Sequence, residues 1–143
     1  MLTTIRESWG WTGLDPAAVT ATNAFGNVIV CATDGAYWRI RPEELSCEVV
    51  ARDDAAFKAL WASEAFQVDW QMTRLVELAR AALGPVDEQR CYCLKTPAVL
   101  GGAYDTANFG TITRQELLAF SGDVAEQIKD VPDGASVKFA WTK

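Results

Sequence analysis

Asp123 and Glu126 stand three positions apart, with Asp130 and Asp133 shortly after, so four carboxylates gather near one end of the chain. Paired carboxylates perform acid-base chemistry when burial or a neighbouring charge moves one pKa toward neutrality. Nothing in this spacing forces such burial, and a helix face carrying acids at intervals of three and four reads as solvated. As a docking surface for a cationic protein, the same group needs no special pKa.

The other reactive residues offer less. Cys91-Tyr92-Cys93 puts two sulfurs on one face of a strand, near enough for a soft metal or a strained redox pair. No second pair with zinc-like spacing follows, and Cys31 and Cys47 are isolated, so the cysteines read as small apolar side chains and reduced thiols. Gly101-Gly102 lacks the lysine and Ser/Thr of a phosphate loop and reads as a turn using positive φ or close backbone approach. The chain holds 0 histidines, which removes the commonest general base and leaves Ser8, Ser46, Ser63, Ser121 and Ser136 without a hydrolase partner. We expect no enzyme, no cofactor and no metal.

Composition sets the frame for these residues. With 143 residues, 50% of them hydrophobic and 22% charged, the chain suits one domain over 1–143. A domain of that size buries roughly 68–70% of its unfolded surface. A boundary near Asp53 or Gly84, dividing two subdomains, is the alternative. The net charge of −6 and pI of about 4.6 repel phosphate backbones and anionic membranes and favour a basic partner. Residues 1–8 show no apolar run with a cleavage site, and no window reaches the ~18 apolar residues of a span, so we expect a cytoplasmic protein.

The elements that must position the reactive groups follow from pattern. Asp15-Pro16 resembles a helix cap with proline at the first helical position, which predicts a short helix to about Phe25. Residues 27–33 and 36–41 are two strands joined by the Asp34-Gly35 hairpin signal. Alternation puts Tyr37, Arg39 and Arg41 on one face, and Trp38 and Ile40 on the other, with Trp38 toward the core. Residues 45–52 continue as a third strand.

Asp53 or Asp54 caps a helix carrying Phe57, Leu60 and Trp61, and Val68, Met72, Leu75, Val76, Ala79 and Leu83 predict a second, ended by Gly84-Pro85. Then come a strand over 90–95, a loop over 97–109 and a short extended piece over 111–113. A helix over 115–129 follows, lined by Leu117, Phe120, Val124 and Ile128. Pro132-Asp133-Gly134 turns the chain into a last strand over 136–141. The order predicts an α+β fold with helices packed on a mainly antiparallel sheet.

Read together, several segments resemble a bacterial family. They are Ala24-Phe25-Gly26-Asn27, Tyr37-Trp38-Arg39-Ile40 with Pro42-Glu43-Glu44-Leu45, and Asp69-Trp70. Further along come Pro97-Ala98-Val99-Leu100-Gly101-Gly102-Ala103-Tyr104, Ser121-Gly122-Asp123, Gln127-Ile128-Lys129-Asp130 and Pro132-Asp133-Gly134. Over about residues 9–143 the chain is similar to the type VI secretion DNase immunity protein family. The resemblance implies a cytoplasmic antitoxin that binds and neutralises a cognate secreted nuclease with a basic surface, and it transfers no interface residue by residue.

Contact candidates are chosen instead as exposed-looking acids and loop residues: Tyr104, Asp105 and Asn108, with Asp123, Glu126, Asp130 and Asp133. Trp9 and Trp11 could join such an interface or serve the core. Two other readings stay open. One is a small-ligand or regulatory module whose 101–109 loop closes a pocket lined by tryptophans. The other is a carboxylate enzyme with a deep cleft holding two carboxyls of raised pKa.

Overall fold

The computed structural model describes residues 1–131. The predicted turn at Pro132-Asp133-Gly134, the strand over 136–141 and the candidate contact Asp133 lie outside the described residues.

A helix the pattern does not announce opens the chain: α1, Leu2–Trp9, whose N-cap is Met1 with no side-chain cap. The Asp15-Pro16 expectation is then overturned, because Pro16–Thr22 is a strand, β1. Asp15 does not cap a helix. Its carbonyl accepts from Thr33 N at 2.9 Å and its carboxylate from Thr33 Oγ1 at 3.0 Å, which fastens β1 beside the next strand. Pairing across the sheet outweighs the helical propensity of Ala17 and Ala18.

The meander follows the sequence reading: β2, Val28–Ala32, β3, Tyr37–Arg41, and β4, Ser46–Ala51. The four strands form one antiparallel sheet in the order β1-β2-β3-β4, with Val28 opposite Ile40 and Val30 opposite Trp38. Among the described residues β1 stands at the edge of the sheet, and it carries register shifts between Pro16 and Ala18 and between Val19 and Ala21, which increase its local twist.

Three helices follow, where two were expected: α2, Asp54–Trp61, α3, Glu64–Gln71, and α4, Thr73–Leu83. Asp53 caps α2 by accepting from Ala56 N at 2.8 Å, and Ser63 caps α3 by accepting from Phe66 N at 3.3 Å. The hairpin of β5, Arg90–Leu94, and β6, Phe109–Thr113, makes a second, two-stranded sheet. Tyr92 N donates to Ala24 O at 2.8 Å, which fastens this hairpin to the turn between β1 and β2. Last among the described residues comes α5, Arg114–Ile128, whose N-cap Thr113 Oγ1 accepts from Glu116 N and donates to the Glu116 carboxylate. The fold is α+β.

Both faces of the larger sheet are covered. On one, Ile5 and Trp9 of α1 and Leu118 and Ala125 of α5 pack on Val28, Val30, Ala32 and Ile40, with Trp38 beside them. α1 and α5 meet at Gly122, where an added Cβ would lie 2.3 Å from Ser8 O. Trp11 is spent here as well, stacked on Trp9 and donating to Ser8 O at 2.9 Å. On the opposite face Phe57 of α2 and Phe66 and Trp70 of α3 pack on Ile29, Tyr37 and Ala51. A third cluster, with Phe25, Met72, Ala79, Tyr92 and Phe109, seats α4 against the small sheet. Among the described residues no helix is long and apolar enough to cross a membrane.

Candidate functional site

A groove of about 810 Å³ opens between the α3–α4 elbow and the loop that carries Tyr104. Its far wall is the short 3-10 turn Pro42–Glu44 that follows β3. Two non-glycine residues with left-handed backbone adjoin it, Leu45 at φ 51° and Met72 at φ 47°. Such a conformation costs an L-residue roughly 1–2 kcal/mol, so each must be held by its surroundings. At Met72 the holder is Asn23, whose amide donates to Trp70 O at 2.9 Å and to Met72 Sδ at 3.5 Å. The bend ends α3 and sends α4 off toward the small sheet.

Beneath the groove lies a buried polar network. Asn27 is fully buried, and its Oδ1 accepts from Arg39 Nε at 3.1 Å and Nη2 at 2.8 Å while its Nδ2 donates to Glu43 Oε1 at 2.6 Å. Arg39 extends Nη1 to the Asp69 carboxylate on α3 and sits over the Phe66 and Trp70 rings, 5.7 and 5.2 Å from their centroids. Arg41 Nε donates to Glu43 Oε2 at 3.3 Å. Burial pushes the Glu43 carboxyl up, against the opposing pull of Arg41 and Asn27. Asp69 and Arg41 line the groove, so the network fixes two of its charged groups from below.

Tyr104 reaches the groove from a loop that is folded on itself. Gly101 adopts φ +94°, and a Cβ on Gly102 would fall 1.8 Å from Thr96 O, so the two glycines serve a turn and a close approach. Asn108 Nδ2 donates to Thr96 O and Ala103 O, both at 2.9 Å, and Asp105 accepts from Ala107 N at 3.0 Å. Their side chains hold the loop, while the Tyr104 hydroxyl donates to the Glu44 carboxylate. Burial and that hydrogen bond both raise the Tyr104 phenol, which stays neutral and a donor.

The helical acids lie elsewhere. Asp123 and Glu126 are exposed on α5, opposite its buried Leu118, Gly122 and Ala125, and Asp130 is exposed just beyond the helix. Asp123 accepts from Gln127 Nε2 at 3.1 Å. None of the three lines the groove. The sequence candidates therefore separate into a loop site, where Tyr104 meets the groove, and an α5 face.

Few of these groups suit catalysis. Glu43 is 3% exposed and does not line the groove, so it has no access to a substrate there. Burial pushes the Cys91 thiol up to about 12 and the Cys47 thiol to about 11, which keeps both protonated and weakly nucleophilic at neutral pH. Among the described residues no three His, Cys, Asp or Glu side chains group as a metal site. Among the described residues no tryptophan lines the groove.

The sequence reading missed the groove's floor of Val68, Met72 and Leu75. It placed Val68 on a core stripe continuous with Met72, whereas Val68 is 70% exposed. The signal was present in Phe66 and Trp70, four apart and both aromatic, which claim the buried side of α3 and leave Val68 outside.

No curated protein matches this chain. A model of the family described as T6SS immunity protein Tdi1, C-terminal, matches residues 51–125, from the end of β4 through most of α5. That span is just over half of the 143 residues and contains the α3–α4 elbow, Tyr104 and Asp123, while Glu126 lies one position beyond it. The chain belongs to this family of type VI secretion immunity proteins.

Proposed function

We propose that the chain is a cytoplasmic immunity protein that neutralises a cognate DNase effector by binding it, without chemistry of its own. The family match over residues 51–125 carries this reading. Charge supports its finer part, because a DNase must attract phosphate and therefore presents a basic cleft, to which a chain of net charge −6 is complementary. Exposed Asp123, Glu126 and Asp130 on and beside α5, with Tyr104, Asp105 and Asn108 in the loop, are the proposed contacts.

Charge complementarity acts mainly on encounter. Steered association reaches ~10⁸–10⁹ M⁻¹s⁻¹ at low salt and slows as ions screen it, with a Debye length of about 8 Å at physiological ionic strength. The test is plasmid cleavage by a candidate cognate DNase effector. Equimolar protein should leave supercoiled plasmid intact, and raising the salt should slow complex formation more than it speeds dissociation. Cleavage at an undiminished rate would refute the proposal.

A further inference from the structure

Val68 stands outward on α3 with 70% of its surface exposed, on the side opposite the buried Trp70. It adds nothing to the core, and together with Met72 and Leu75 it forms an apolar floor among charged and uncharged polar side chains. A floor of this kind, rimmed by polar groups and backed by rigid elements, is the anatomy of an interface anchor.

The charges around the floor indicate its occupant. Asp69 is paired with Arg39, and Arg41 with Glu43. Among the described residues, Glu44, Glu64 and Arg74 line the groove without forming an ion pair, two carboxylates against one guanidinium. The excess is acidic, of the same sign as the whole chain. Tyr104 adds an aromatic ring and hydroxyl at the opposite lip, a residue type enriched among binding hot spots.

We propose that this groove is the anchor site for the toxin, and that it takes an apolar side chain flanked by a lysine or arginine from one basic segment of that protein. The proposal rests on the toxin-binding reading above and assigns it a place. The apolar side chain covers Val68 and Leu75, and the cation lies against Glu64 and Glu44. The α5 acids then act on approach, through the long-range field, while the groove sets how long the complex lasts.

The experiment measures association and dissociation rates of the full chain with a catalytically inactive form of a candidate cognate DNase effector. Val68→Asp and Val68→Ser are compared with Glu64→Lys and with Asp123→Lys/Glu126→Lys, and the melting temperature of each variant is checked. The Val68 variants should melt like the parent yet weaken affinity by at least about 30-fold through faster dissociation, as a central anchor does. Glu64→Lys should weaken it about threefold to tenfold, and the α5 double variant should slow association while leaving dissociation within about twofold. Dissociation unchanged in both folded Val68 variants overturns the groove as anchor while leaving toxin binding intact. A parent chain that neither binds nor protects overturns both.

Discussion

The two faces of the four-stranded sheet are built on opposite principles. The face under α1 and α5 is filled by aliphatic side chains with Trp9, Trp11 and Trp38, and its helices approach so closely that Gly122 has no room for a methyl group. The face under α2 and α3 is aromatic and holds a buried guanidinium, an asparagine amide and a carboxyl, with Asp69 and Arg41 leading out to a groove. Packing against water supplies stability in proportion to apolar area, without direction. A satisfied polar network adds little net stability, but it holds particular atoms in particular places. The first face keeps the protein folded, and the second sets the shape and charge of the surface a partner would meet.

The sharpest way to break that contrast is Gly122→Val. The new side chain meets the Ser8 backbone, which cannot rotate away, so α1 must lift from α5. We expect a loss of about 3 kcal/mol or more in urea unfolding, since overpacking against fixed atoms lies at the upper end of core substitutions. A loss below about 1 kcal/mol would show that the sealed face is looser than described.

Arg39→Ala attacks the other face. It orphans Asn27 Oδ1, uncovers the Phe66 and Trp70 rings and removes the partner of Asp69, whose side chain is 52% exposed. We expect about 2–3 kcal/mol, less than a fully buried ion pair would cost because Asp69 is rehydrated.

Glu43 sharpens the comparison through pH. Burial holds its folded pKa above the unfolded value, so the folded state takes the proton more readily. Its contribution to stability is full below the unfolded carboxyl pKa and is lost as pH rises through the folded value. Glu43→Gln lacks that loss, so the parent should weaken relative to the variant between acid and neutral pH. Equal pH profiles in denaturant titrations would remove Glu43 from the titrating groups. The smallest effect belongs to Val68→Asp, which should change stability by no more than about 0.5 kcal/mol because the residue is exposed.

Legibility in the sequence followed the range of the interactions concerned. The β2–β3 hairpin, β5, α5 and the α+β class were readable because Asp34-Gly35, the alternation around Trp38 and the spacing of Leu117, Val124 and Ile128 are local signals. β1 was misread because Asp15-Pro16-Ala17-Ala18 is a plausible helix start on its own, and only Thr33, across the turn, commits Asp15 otherwise. α1 was missed because Met1 supplies no cap and Thr3 and Thr4 are weak helix formers. The groove was hidden by Met72. Its left-handed backbone depends on Asn23, distant in sequence, and it breaks the helical phase that would otherwise put Val68 inside. Tyr104 could be singled out as a loop aromatic, yet its partner Glu44 lies 60 positions away and no spacing rule connects them.

The central claim is that this chain protects a cell by occupying a toxin. It is tested most directly by expressing a candidate cognate nuclease in cells with and without the chain, and following chromosomal DNA and viable counts. Neutralisation by binding predicts intact DNA and full survival when the chain is present, and rapid DNA loss when it is absent. The same DNA loss and the same death in both cultures would contradict it.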